Sequence, residues 1–537
     1  MTGKRTLGLY LLEALQAHGI THVFGIPGVH NIELYRGLPR SPLRHVGSRH
    51  EQALGFMADG YARAGGRPAT CFTISGPGVT NIATAMAQAY ADSIPLLVIA
   101  SQNRRGEAGS GRGFLHEMPD QCGVAARVSG FAHAVASVRE VPEVIARAFA
   151  SMLGRRPRPA YIEIPLDLLA ADASMLDAPS STIPAAGAAE DEQVAQAAQR
   201  LASCVRPVIL AGGGAVHAAG SVARLARKMQ APVIMTINGR GILPPRHPLN
   251  VSFSPSLDAV RSLIAESDLA LAVGTELGPT DYDMYAVKEL PQPPQLLRID
   301  IDAEQMMRGA QPEIALLGDA HRTLEALLTR LDGAPMRAPE AGGLNRAAQA
   351  CKAGHAALAP AMRTQLQFLD QLREGLPGVL IAGDSTQPVY AGNLGFSAAA
   401  PGTWFNSASG FGTLGYALPA AIGAALAQPQ RPVIALVGDG GLQFTMQELG
   451  TLRDLGVWVA VMVWNNNGYG EIKTAMMDAG VQPMAVDLMP PDLEKLAGAY
   501  GLAYWRVREP ASLPAMMEHF LQHRTPLLVE IDSAGFR

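Results

Sequence analysis

The chain has 537 residues, with 43 Lys and Arg against 47 Asp and Glu, a formal net charge of -4, and 48% hydrophobic against 17% charged residues. That length is more than one hydrophobic core usually organises and predicts three domains, while the balanced charge excludes a nucleic-acid binder working through a basic face. No run approaches the roughly 20 apolar residues of a membrane span and the N-terminus lacks a signal-peptide core, so a cytoplasmic protein with no membrane contact is expected.

In chain order, the runs ATCFTI, PLLVIAS, RPVILAGG, APVIMTI, LALAVG, LLRIDI, GVLIAGD, RPVIALVGD and WVAVMVWNN are short, apolar and rich in Val and Ile. Strands buried on both faces read this way, and the helical patterns between them, such as VTNIATAMAQAYADS and LGYALPAAIGAALAQ, predict an α/β fold of mostly parallel sheets flanked by helices. Residues 170–193 and 331–345 are rich in Ala, Pro, Gly and polar residues and read as linkers. The expected domains are therefore 1–175, 192–332 and 346–537. Cys71, Cys122, Cys204 and Cys351 are too scattered for a metal site or a disulfide framework and are read as reduced.

Residues that carry candidate chemistry fall in all three blocks. In the first block these are FGIPGVHN with His30, the segment Ser48–Ala53 with Glu51, ISGPGVTN at 74–81, and GRGFLHEMPDQ with His116 and Gln121. Taken singly, a glutamate is more often solvated and a histidine more often structural. The central block carries RPVILAGGGAVHAAG, but His217 stands where a dinucleotide fingerprint needs its third glycine. In the third block, Asp384-Ser385-Thr386-Gln387 follows one strand, SGFGTLGYALPAAIGA (409–424) holds glycines around Leu414, and Gly438-Asp439-Gly440-Gly441 ends another strand before a predicted helix, LQFTMQELGTLRDLG. A further strand closes on Asn465-Asn466-Asn467-Gly468, with Asn466 27 positions beyond Asp439. Glycine N–H groups at a helix N-terminus suit a diphosphate, and Asp and Asn oxygens suit magnesium.

With these motifs on the page, the chain resembles the thiamine diphosphate enzyme family over essentially its whole length. The resemblance implies Asp439, Asn466 and the Gly468 carbonyl as magnesium ligands, and Gly440, Gly441, Thr386 and Gln387 at the diphosphate end. It also implies the Gly412 carbonyl and Leu414 against the cofactor rings, and Glu51, in R-H-E-x-A, beside the pyrimidine to promote loss of the reactive proton. Family sites form between subunits, so the resemblance implies a homodimer at minimum, and a homotetramer in the family's manner, with Glu51 facing the Asp439 region of a second copy. The segment Glu276–Asp283 departs from the R-F-D-D-R-like pattern of FAD-bearing acetolactate synthases, so no functional FAD is expected. Pyruvate decarboxylases carry a glutamate where Ile472 stands, and paired histidines absent here, which leaves His30 and His116, with Gln121, as candidates for proton transfer. His30 occupies a position similar to the active-site histidine of benzaldehyde lyase. A narrower resemblance of FGIPGVHNIELYRG, GRGFLHEMPDQ, TDYDMY and NNNGYGEIK, to 5-guanidino-2-oxopentanoate decarboxylases of arginine catabolism, implies a guanidinium-bearing 2-oxo acid; a guanidinium calls for bidentate carboxylates, and Glu117, Asp120 and Glu471 lie in loops that could reach it. Against this stand an acetolactate synthase-like carboligase acting on pyruvate, a non-catalytic thiamine-binding relative, and a nicotinamide or flavin oxidoreductase.

Overall fold

The computed structural model describes residues 5–179, 182–282, 293–333, 335–337 and 342–536. The apolar runs become strands of three six-stranded sheets in which every pairing is parallel. The first sheet comprises β1 (His22–Gly25), β2 (Arg44–Val46), β3 (Ala69–Thr73), β4 (Leu96–Gln102), β5 (Phe131–Ala134) and β6 (Ala160–Pro165). The second comprises β7 (Pro207–Ala211), β8 (Val233–Met235), β9 (Asn250–Val251), β10 (Leu269–Val273), β11 (Leu296–Asp300) and β12 (Ile314–Leu317). The third comprises β13 (Leu380–Gly383), β14 (Trp404–Asn406), β15 (Val433–Gly438), β16 (Val459–Asn465), β17 (Ala503–Val507) and β18 (Leu527–Asp532). Helices cover both faces, so every residue of β3, β4, β7 and β10 is buried, as their unbroken apolar sequences require.

The first and third sheets share one topology, β2-β1-β3-β4-β6-β5 and β14-β13-β15-β16-β18-β17. Helix Glu51–Gly65, between β2 and β3, therefore corresponds to helix Ala417–Ala427, between β14 and β15. These two helices pack against each other with backbone nearly touching backbone. A Cβ added at Gly60 would stand 2.0 Å from the Ala420 carbonyl oxygen, and one at Gly423 1.8 Å from that of Met57. One apolar cluster runs from Phe56 and Met57 through Leu418 and Ile422 to Val459 and Val461, joining the two sheets into a common core. A buried polar junction adds to it. Arg63 pairs with Asp59 (2.6 Å) and Asp92 (2.5 Å) and donates to Asn238 (3.0 Å), while Asp92 accepts from Ser409 and Asp59 from Tyr416. All three sheets contribute to that junction.

The second sheet, β12-β11-β10-β7-β8-β9, has the order of a dinucleotide-binding sheet, with its switch point between β7 and β10. There the glycine-rich loop is tied to its neighbour: Gly212 N donates to the Val273 carbonyl at 2.9 Å and Gly214 N to that of Gly274 at 3.0 Å. Asp283 and the rest of the TDYDMY segment beyond Tyr282 lie outside the described residues.

Two local expectations are corrected. The helix expected from LQFTMQELGTLRDLG is two pieces, Asp439–Leu442 and Glu448–Leu455, because the chain turns between them through Gln443–Gln447. The stretch read as the first linker is partly fixed: Ala173 is fully buried, its N–H donates to the Arg5 carbonyl, and a helix begins at Asp191. The four cysteines are unpaired and burial, first of all, pushes each thiol upward. Among the described residues no helix is long and apolar enough to cross a membrane.

Candidate active site

In parallel sheets, loops from the carboxyl ends of strands on either side of a switch in strand order form the binding crevice. In the third sheet the switch lies between β13 and β15, and the motif residues gather there. Asp384 ends β13 fully buried, accepts from Ser385 N at 2.8 Å and from Gly415 N at 2.7 Å, and so clips the Gly412–Gly415 turn to the strand. Burial pushes its carboxyl up to about 6 against those hydrogen bonds. Gly412 and Gly415 sit at φ 81° and 80°, a conformation that costs a side chain but not a glycine, and half-buried Leu414 is held between them. Thr386 precedes helix Gln387–Gly395, and its hydroxyl lies 3.2 Å from where a Cβ on Gly438 would stand. Gly440 and Gly441 form the first turn after Asp439, with Tyr469 against Gly440 too closely for any Cβ.

Each asparagine of Asn465–Asn467 has a separate task. Asn465 anchors the loop to β18 by donating to Glu530 (2.9 Å) and accepts the Asn467 N–H (3.2 Å). Asn467 takes φ 62°, which asparagine tolerates, and Gly468 takes φ 149°. The result turns the side chain of Asn466 toward Asp439 and the Gly468 carbonyl. With its amide nitrogen inward, Asn466 donates to Asp439 Oδ1 at 3.1 Å and to the Gly468 oxygen at 2.8 Å. With its oxygen inward, three oxygens converge with no donor among them, at separations close to the about 2.9 Å between neighbouring oxygens around octahedral magnesium. Asp439 is 1% exposed and its Oδ2 is buried without a hydrogen-bond partner. Burial raises its carboxyl above the ordinary range, so the bare carboxylate is costly where it stands. These residues fit a hard cation bridging to a diphosphate. Among the described residues there is no alternative cluster of three or more His, Cys, Asp or Glu able to hold a metal.

The corresponding switch in the first sheet, between β1 and β3, gathers the other candidates. His30, after β1, has its Nδ1 2.5 Å from Ser75 Oγ, after β3, and its ring stands edge-on to His116 at 4.9 Å between centroids. His116 adopts φ 59°, and its buried Nδ1 has no partner. Burial, then the neighbouring His116, hold His30 below its ordinary value. Gln121 is 1% exposed, accepts from Gly76 N (2.8 Å) and donates to Tyr161, Glu163 and the Ser101 carbonyl, so its side chain braces the Ser75–Gly76 turn. Glu51 begins helix Glu51–Gly65, half-buried, and accepts from Asn81 Nδ2 at 2.9 Å. Asn81 lies in helix Pro77–Ala91, whose N-terminus is that same turn.

The chain thus brings its candidates together as two groups: Asp384, Thr386, Gln387, Gly412, Leu414, Asp439, Gly440, Gly441, Asn466 and Gly468 in one, and Glu51, His30, His116 and Gln121 in the other. Within the chain, Glu51 is held by its own domain. The Arg49 just before it is bound to Glu448 and Asp454, on a helix of the third domain. Sequence reasoning missed Asn81, Ser75 and Tyr469. Asn81 and Ser75 stand in the ISGPGVTN motif, as polar side chains on either side of its two glycines.

Of the acids considered for a cationic substrate, Glu117 is committed to its own loop. It accepts from Ser110 Oγ and from the N–H groups of Gly111, Gly113 and Phe114, which outweigh partial burial and lower its carboxyl. Asp120 caps helix Gln121–Ala126 through Gly123 N at 2.7 Å.

Comparison with known proteins matches residues 5–124 to the thiamine pyrophosphate enzyme N-terminal TPP binding domain, 194–327 to its central domain and 384–531 to its C-terminal TPP binding domain. The chain is 45% identical over 95% of its length to a Pseudomonas aeruginosa protein named "probable 2-ketoarginine decarboxylase", covering 90% of that protein. It is 30% identical over 99% of its length to the acetolactate synthase isozyme 1 large subunit of Escherichia coli and 28% over 98% to an acetolactate synthase of Arthrospira platensis, covering 94% of each. Three matched segments in order, each laid on one of the three sheets, and similarity over almost the whole chain make it a member of the thiamine pyrophosphate enzyme family.

Proposed function

We propose that the protein decarboxylates 5-guanidino-2-oxopentanoate to 4-guanidinobutanal, using thiamine diphosphate and magnesium, in an assembly of at least two copies. The observation that carries the substrate is the 45% identity, over 95% of the chain, to a relative named for 2-ketoarginine, against 30% and 28% for the acetolactate synthases. Thiamine diphosphate, when bound, supplies the carbon that adds to the 2-oxo carbon and holds the electron pair left as the bond to the carboxylate breaks. Asp439, Asn466 and the Gly468 carbonyl hold the magnesium, and Gly440, Gly441, Thr386 and Gln387 surround the diphosphate. Glu51, oriented by Asn81, holds a proton at the pyrimidine ring nitrogen.

Departure of carbon dioxide leaves the former 2-oxo carbon one proton short of an aldehyde. His30 and His116 are suited to deliver it. Their rings are in contact, Ser75 fixes the orientation of His30, and a depressed His30 is neutral near pH 7 and able to accept and pass a proton. Gln121 positions the turn that carries Ser75.

The experiment is a comparison of kcat/KM on 5-guanidino-2-oxopentanoate, 2-oxohexanoate and pyruvate. A site built around a charged, hydrogen-bonding group rejects an analogue lacking it by about 10³-fold or more. Equal or better activity on 2-oxohexanoate or pyruvate contradicts the substrate assignment and favours the carboligase reading.

A further inference from the structure

Of the acids that the sequence offers to a guanidinium, the structure leaves Glu471 open on the metal side of the site. It opens helix Gly470–Asp478, five residues beyond Asn466, and its side chain is exposed in the chain. No residue of that helix is buried, so the helix is open to solvent in the chain. The carboxylate of Glu471 is held by a neutral partner: Gln387 Nε2 donates to its Oε1 at 2.8 Å. The amide of Gln387 is fixed in turn, because its oxygen accepts from Trp464 Nε1 at 3.0 Å and, when the Asn466 oxygen is turned toward Asp439 as a cation requires, faces Asn466 Nδ2 at 3.5 Å. One amide thereby links the metal-end asparagine to the carboxylate and sets their spacing. Trp464 is 1% exposed, so its packing holds the arrangement in place before any ligand arrives.

We infer that Glu471 is the residue that recognises the guanidinium of the substrate, with Gln387 as its positioning residue. This rests on the substrate proposed above. In 5-guanidino-2-oxopentanoate five bonds separate the 2-oxo carbon from the guanidinium carbon, so the charged end must meet a carboxylate that is near the cofactor but not part of the metal cluster. Glu471 meets that condition through its tie to Gln387. Its Oε2 is available for a second parallel N–H···O contact in a charge-assisted pair. Glu117 does not meet the condition, since both its oxygens are engaged by backbone N–H groups of its own loop, and Asp120 spends its Oδ1 capping a helix of the first domain, away from the metal side. Lys473, on the same helix as Glu471, is paired with Asp487 rather than with Glu471. The rival acid is half-exposed Glu107, on the histidine side of the crevice, whose charge reaches His30.

The test is the ratio of kcat/KM on 5-guanidino-2-oxopentanoate to that on 2-oxohexanoate, measured in the magnesium and thiamine diphosphate holoenzyme of wild type, Glu471→Gln, Glu471→Asp and Glu107→Gln. Losing a charge-assisted pair of hydrogen bonds is expected to lower the ratio roughly 10- to 10²-fold in Glu471→Gln, chiefly through KM, with part of it regained in Glu471→Asp. A ratio unchanged within about threefold, or equal losses on both substrates, overturns the assignment of Glu471. A fall in Glu107→Gln with none in Glu471→Gln moves the guanidinium to the histidine side and also overturns it. If the wild type itself shows no preference for the guanidino acid, the substrate reading fails first, and this inference falls with it.

Discussion

Replacing Asp439 with Ala is expected to lower thiamine diphosphate affinity in the presence of magnesium by more than about 10²-fold, since losing even an outer-shell partner of a metal costs 10- to 100-fold and Asp439 is placed as a direct ligand. The side chain is almost fully buried, its Oδ2 has no partner, and the Asn466 side chain lies against both its Oδ1 and the Gly468 carbonyl. Magnesium would satisfy all three oxygens at once. Alanine removes the only charged one, leaving an amide and a carbonyl that cannot neutralise a divalent cation between diphosphate oxygens. Titration calorimetry with thiamine diphosphate at fixed magnesium measures the loss. Because Asp439 carries the cost of an unpaired buried carboxylate when the site is bare, the variant is also expected to unfold at no lower temperature than the metal-free wild type. An unaltered affinity removes Asp439 from the metal site.

Glu51→Gln is expected to separate binding from turnover. The substitution keeps size and polarity, and Asn81 retains a neighbour to hydrogen-bond, so cofactor affinity should stay within roughly tenfold. Gln cannot hold or exchange a proton, and a general acid–base group contributes about 10² to 10⁴ in rate, so kcat should fall by that factor. Steady-state kinetics at saturating cofactor measures it, and near-normal turnover removes Glu51 from the mechanism.

The apolar strands and the metal-end motifs were legible because each is local. An unbroken Val and Ile run can only be buried on both faces, and the Gly-Asp-Gly-Gly and Asn-Asn-Asn-Gly segments each end such a run. What was not legible depends on contacts between distant segments. Strands β6 and β18 are almost entirely buried, yet Glu163 and Glu530 interrupt their apolar pattern. The reason is that each carboxylate serves a loop beyond the strand, Glu163 through Gln121 and Glu530 through Asn465. Strands β2 and β17 lie at sheet edges, where exposed residues such as Arg44 and Ala503 leave no apolar run to read. The shared topology of the first and third sheets leaves no internal sequence repeat, because sheet order is fixed by packing and the facing helices match through small residues, Gly60 and Gly423, that carry no pattern. The break after Leu442 was hidden by a helical periodicity that the turn at Gln443–Gln447 interrupts. At the site, residue types marked Asp439 and Asn466 as candidates, but not that Glu117 would be absorbed by its own glycine loop or that Asn81 would hold Glu51.

The most direct measurement is carbon dioxide released from 5-guanidino-2-oxopentanoate by the chelator-stripped protein, before and after thiamine diphosphate and magnesium are added together. The expected result is no release from the stripped protein or with either addition alone, and steady catalytic release, with one 4-guanidinobutanal per carbon dioxide, once both are present. Release that needs neither, or none with both present on this or any other 2-oxo acid, would contradict a thiamine-dependent decarboxylase.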